Sequence, residues 1–217
     1  MQRTVTAAAQ GSFAHVLQTF AISLLVSFLG TLIGALVIPA SLVMLFIVAE
    51  VAMLIAAVVV RMRGKHIGYG FLYSFTAITG VTLYPVIMAY GSQIGANVVS
   101  GAFLATTLIF GGLAFYAHRS QRDFSYLGGF LFAATIGLIV MGLLSMFVSF
   151  GSTMTIVWSM IGILIFSGWV LYDVSQYREG VEPEEVPLAA LNIFLDFINL
   201  FLYILRFLAA ILGGNRN

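Results

Sequence analysis

Seven long apolar runs organise the chain, at 16–38, 41–60, 67–90, 98–117, 126–148, 153–173 and 187–212. Each has about the 20 residues that carry a helix across a hydrocarbon core. The polar and turn-forming residues are gathered between the runs, at Pro39, 61–66, 91–97, 118–125, 149–152 and 174–186. The runs do not alternate in polarity and are about twice the length of a barrel strand, which leaves helices. A helix also satisfies its own backbone hydrogen bonds, as lipid requires. The predicted fold is an all-α integral membrane protein: seven transmembrane helices forming a single domain over 1–217.

Composition agrees. Of 217 residues, 61% are hydrophobic and only 8% charged, where a soluble domain has about 25% charged residues. The absence of cysteine excludes disulfides and thiolate metal sites. Residues 1–10 carry one charge, Arg3, and no signal-peptide pattern, so no removable leader is expected. With no basic stripe, nucleic acid is excluded as a partner. The lipid bilayer is the one partner that composition demands.

The basic residues set an orientation. Arg3 precedes the first run, Arg61, Arg63 and Lys65 follow the second, Arg119 and Arg122 the fourth, and Arg178 the sixth. All seven lie on one side. Only Arg216 falls on the other, and Arg206 is inside the last run. The positive-inside rule then puts the N-terminus in the cytoplasm and the C-terminus outside, in a multi-pass protein of the cell (inner) membrane. The longest connection, 174–186, carries Glu179, Glu182, Glu184 and Glu185, and is expected to be a solvated connector or a weak cation-attracting vestibule. Gly30/Gly34 fits small-xxx-small helix packing, whereas Gly91/Gly95 reads as a loop.

Charges within the runs are the candidate chemistry. An Asp near the bilayer centre costs roughly 2.5–3.5 kcal/mol, so such a residue marks a functional site by default. Asp196 lies among Leu and Phe in the last run, and Asp173 closes the sixth. At about 1.5 Å per residue, Asp196 is about 13 Å in from the cytoplasmic face. Asp173 and Arg61 lie near that face, so these three residues form one candidate group, a pH sensor and gate whose two acids, Asp173 and Asp196, are also a candidate transient calcium site. Glu50 and Arg206 fall deeper and form a second candidate pair. Either group also reads as a static fastening between helices, and Asp173 as an ordinary helix-end carboxylate. Asn192, Asp196, Asn199 and Tyr203 recur at i, i+4, i+7 and i+11, one polar stripe that has to face protein or water. The last helix is therefore expected to be central, its stripe lining a path or a polar core.

Carboxylates and amide oxygens are hard ligands that suit Ca²⁺. Two adjacent acids do not both ionise easily and titrate as a unit. An arginine beside them competes with a cation, which makes a two-state latch. The residues thus suit a cation pathway with a proton-sensitive gate, with Ca²⁺ and protons as its partners, Ca²⁺ as permeant ion and no resident cofactor. A retinal protein is excluded, because Lys65 is the only lysine and lies in a loop. His15, His66 and His118 stand at three helix ends without the spacing of a zinc hydrolase. None is deep enough for an intramembrane serine protease. No nucleotide fingerprint is present, and an enzyme is not expected.

Several segments resemble the Bax inhibitor-1 (TMBIM) family. Phe194-Leu195-Asp196-Phe197-Ile198-Asn199-Leu200-Phe201, followed by Leu205-Arg206-Phe207, is similar to its C-terminal signature. Residues 73–83, Arg122-Asp123-Phe124-Ser125 and 166–173 resemble its third-span, fifth-span and sixth-span motifs. The resemblance implies a seven-helix bundle whose last helix is wrapped by the other six, and a pH-sensitive Ca²⁺ leak like that of its bacterial calcium-leak members. It implies that Asp173 and Asp196 match the family's paired-aspartate sensor and Arg61 its latch arginine. Glu50 would match the second-span acid and Arg206 its seventh-span partner. Asp123 reads as an N-cap. Two other functions stay open: a regulatory protein acting through a membrane-protein partner, such as a protease or stress-pathway component, and a proton-coupled cation transporter.

Overall fold

The computed structural model describes residues 12–145, 147, 148 and 150–213. Arg3, Arg216 and the expected absence of a leader lie outside these residues. Seven α-helices follow one another: α1 Phe13–Leu36, α2 Ala40–Met62, α3 Tyr69–Ile94, α4 Ala96–Arg119, α5 Gly128–Leu144, α6 Ser152–Tyr177 and α7 Val186–Gly213. Among the described residues there is no strand. All seven are long and apolar enough to cross a membrane. The protein is an all-α, multi-pass membrane protein.

Local chemistry sets the ends. Ser12 caps α1, its hydroxyl accepting the His15 N–H at 3.2 Å. Pro39 forces the chain to stay extended before α2. Arg61 sits in the last turn of α2, which closes at Gly64 in the left-handed region (φ +65°). The expected 91–97 loop shrinks to Gly95 alone: α3 runs on to Ile94 and α4 starts at Ala96. One residue reverses the chain because Gly95 takes φ +98°, open to a residue without Cβ. Asp123 accepts both the backbone N–H and the hydroxyl of Ser125 at 2.8 Å, opening the 3-10 turn Ser125–Leu127 ahead of α5.

By packing, the chain divides into two compact units, Met1–Pro85 with Tyr177–Phe194, and Val86–Gln176 with Leu195–Asn217. One change of unit falls at Pro85, inside α3, where the missing N–H interrupts the helix's own ladder.

In the first unit α1 and α3 pack backbone to backbone. A Cβ on Gly30 would run into the Ala77 carbonyl, and one on Gly80 into the Ser27 carbonyl. Thr31 adds a hydroxyl bond to the Gly80 carbonyl at 3.1 Å. Helices without a hydrophobic drive to associate use such small residues to approach closely, and the Gly30/Gly34 pair serves that role.

In the second unit aromatic rings fill the space around α7. Phe197 meets Phe110 and Phe103 edge to face, at 5.4 and 5.7 Å between centroids. Tyr203 stacks on Phe166, 5.7 Å away, and its ring fills the place of a side chain at Gly162. Trp169 donates to the Thr135 hydroxyl at 2.8 Å, tying α6 to α5.

α7 is the most buried helix. Of its most apolar stretch 67% is inside the protein, against 39% for α3 and 6% for α2. The last helix is central, as its polar stripe demands.

Gly30→Ala should lower stability by about 1–3 kcal/mol, the usual cost of overpacking. Gly101→Ala, where a Cβ meets open space, should change it by less than about 1 kcal/mol. Thermal unfolding in detergent compares the two.

Candidate functional site

Asp173 and Asp196 come together in the second unit. Ser159, Gly162, Phe166, Val170 and Asp173 recur along one buried stripe of α6, so the helix itself turns Asp173 inward. α6 runs one turn past it, to Tyr177. Asp173 is therefore not a helix-end carboxylate at the interface; it is 5% exposed, as is Asp196 on α7. The two side chains hydrogen-bond to each other. Two carboxyl groups offer no donor to each other unless one carries a proton. The second oxygen of Asp196, Oδ2, is buried with no hydrogen-bond partner. That is an unusual state for a buried polar atom, and it leaves an acceptor directed at whatever enters.

The remaining stripe residues of α7 divide their roles. Asn192 donates to the Tyr177 hydroxyl at 2.7 Å. Asn199 turns its amide back onto the Leu195 carbonyl of its own helix, at 2.8 Å. The Tyr203 ring is held between Phe166 and the Arg206 guanidinium, which lies 5.5 Å from the ring centre. Arg206 also borders a cavity of about 210 Å³ with Ser145, Thr155 and Trp158.

Glu50 belongs to the first unit. Its Oε1 accepts the Thr79 hydroxyl at 2.6 Å and its Oε2 the Thr82 hydroxyl at 2.7 Å. These are short bonds of the strength expected for a carboxylate acceptor. Thr79 and Thr82 on α3 thus give each oxygen of Glu50 a donor. Thr76, Thr79 and Thr82 recur every third residue in an apolar span, a hydroxyl stripe that spacing alone would have revealed.

Arg61, also in the first unit, lines a cavity of about 200 Å³ with Lys65, His66, Tyr177 and Glu185. The histidines are spread. His15 pairs with the Tyr69 hydroxyl at 3.3 Å and His66 approaches Glu184 at 3.8 Å. Among the described residues no three His, Asp or Glu side chains gather as a metal centre would need.

A multi-pass helical membrane protein with two buried acids on its last two helices is thus defined. Residues 9–214 match the family described as Inhibitor of apoptosis-promoting Bax1. The chain belongs to this Bax inhibitor family. It is similar to the Golgi anti-apoptotic protein of vaccinia virus, 42% identical over 147 residues, 67% of this chain and 60% of the viral one. It is also similar to Protein lifeguard 4 of Mus musculus, 36% identical over 64% of this chain and 57% of that protein. An uncharacterized protein of Helicobacter pylori is 30% identical over 86% of this chain and 81% of its own length. The match thus spans 60% or less of the length of the viral and mouse relatives.

Thr79→Val keeps the shape of the side chain and strips a donor from Glu50. It should cost about 1–3 kcal/mol, the penalty for a stranded buried acceptor. In a double-mutant cycle of thermal stability the loss should shrink when Glu50 is also replaced by Leu.

Proposed function

We propose that this protein is a pH-sensitive Ca²⁺ leak channel, gated by the Asp173–Asp196 pair with Arg61 as latch. The observation that carries the reading is the buried side-chain contact of the two acids, with Asp196 Oδ2 left unpaired. With the proton bound, the pair is closed on itself and bears at most one charge. With the proton gone, two carboxylates repel each other in a low-dielectric site and attract a divalent cation. Ca²⁺ prefers six to eight oxygens. Two carboxyl groups offer fewer, which suits passage better than storage. Arg61 supplies the competing positive charge. Asn192, Asn199 and Tyr203 lie on the same helix as Asp196 and would border the path. Glu50 and Arg206 would form the second polar level, Glu50 steadied by its threonines.

In this reading the chain lies in the cell (inner) membrane with its N-terminus in the cytoplasm and its C-terminus outside. That orientation rests on the seven-to-one distribution of basic residues. It acts as a channel and not as an enzyme. The names of two relatives, Golgi anti-apoptotic protein and Bax inhibitor 1 of Schizosaccharomyces pombe, favour a second reading, regulation through a membrane-protein partner. Co-purification of a stoichiometric partner, with purified protein that passes no Ca²⁺, would support that reading instead. A flux that accumulates Ca²⁺ under an imposed pH gradient would mark a proton-coupled transporter.

The direct test is Ca²⁺ flux into proteoliposomes across a pH series. Asp196→Asn should flatten the pH response. It should also lower flux at the wild type's most conductive pH by about tenfold or more, the effect of losing a few kcal/mol of charge interaction. Unchanged flux and pH response in this variant would reject the gate.

A further inference from the structure

The basic cavity at the α2–α3 connection includes Arg61, the proposed latch, but its other lining residues take no part in the proposed gate. We propose that it binds a phosphate group, carried by a lipid headgroup or free in solution. The cavity holds about 200 Å³, the size of a small headgroup, and is lined by Arg61, Lys65, His66 and Tyr177, with Glu185 on the same wall. Arg61 offers a planar fork of donors and Lys65 a compact charge, the two side chains most suited to a phosphate oxyanion. The first turn of α7 closes the cavity through Leu188 and Ala189. The dipole of this 28-residue helix is positive at that end. Cations and helix terminus thus reinforce each other at one point.

The location favours a lipid as the source. The cavity lies where α2 ends and α3 and α7 begin, at the ends of three spans long and apolar enough to cross a membrane. Val181 and Leu188 make part of the wall apolar. Lys65 and His66 also border a second, wider groove of about 580 Å³, with Ile67, Pro183 and Pro187 along it. A headgroup in the small cavity could lay its glycerol and first acyl carbons in the groove. Basic pockets between spans on the cytoplasmic side are the expected receptors for anionic headgroups. Glu185 is the one acid that lines the small cavity, while Glu184 lines the groove, 3.8 Å from His66. Arg61 is common to this site and the proposed latch, so the test reads binding alone, through Lys65 and Glu185.

Native mass spectrometry of the purified protein, titrated with phosphatidic acid, reads the site. Diacylglycerol, which lacks the phosphate, is the control. A parallel arm adds inorganic phosphate and follows thermal stability. Lys65→Gln should weaken phosphatidic acid binding about fivefold, the loss of one basic side chain at a membrane surface. Glu185→Gln should strengthen it. Both residues are exposed, so the variants keep the fold, which circular dichroism confirms. Retention of phosphatidic acid without protection by inorganic phosphate identifies a lipid site. Protection by inorganic phosphate that falls in Lys65→Gln identifies a free anion. Binding no tighter than that of diacylglycerol with no protection by inorganic phosphate, or binding indifferent to both substitutions, overturns the proposal.

Discussion

A carboxyl group buried in an apolar protein interior inside a membrane has few stable arrangements, and the rest of the site follows from the one adopted here. Asp196 stands on the most buried helix, among Phe194, Phe197 and Leu200, each almost wholly enclosed. No lysine or arginine salt bridge to it is present among the described residues. Its companion is a second acid, Asp173, and two such groups hydrogen-bond only when one of them carries a proton. A contact of this kind has two states by nature, because removing the proton turns attraction into repulsion. A pair of opposite charges would fasten α6 to α7 at any ordinary pH. A pair of acids fastens them conditionally.

The surroundings keep that contact from relaxing. Phe166 and Tyr203 stack across the same two helices, and Gly162 lets the tyrosine ring approach. Trp169 ties α6 to α5 through Thr135. These contacts lie on one side of the acids, where they hold α6 against its neighbours and resist its separation from α7. Glu50 shows the contrasting solution. Its carboxylate takes two threonine hydroxyls from α3 and is satisfied, so nothing in its immediate contacts depends on a partner of opposite charge.

Much of this was legible in the sequence. Hydrophobic run length gave all seven helices, because lipid permits few other structures for a long apolar segment. The polar stripe of Asn192, Asp196 and Asn199 identified α7 as the inner helix, since such a stripe cannot face lipid. The Gly30/Gly34 spacing marked a close helix contact for the same reason that it works: small residues bring backbones together. What the sequence did not reveal was set by tertiary packing. The extent of α6 beyond Asp173, and hence the depth of that acid, depends on a polar segment, 174–177, staying helical. The Thr79 and Thr82 donors to Glu50 escaped attention because hydroxyls weigh little in a hydropathy profile. The single-residue turn at Gly95 looked like a loop because Gly91, Ser92 and Gln93 resemble one in composition. The Lys65 and His66 cavity depends on how two connections fold over each other, which no local pattern encodes.

The central claim is that one proton, shared by Asp173 and Asp196, governs passage. Infrared difference spectroscopy of the reconstituted protein can follow the carboxyl C=O stretch while Ca²⁺ flux is recorded over the same pH series. The account predicts a single carboxyl band that disappears with the same midpoint as the change in flux, and that is lost in Asp173→Asn as well as in Asp196→Asn. Flux that changes with pH while this band stays constant, or a band that survives either substitution, would contradict it.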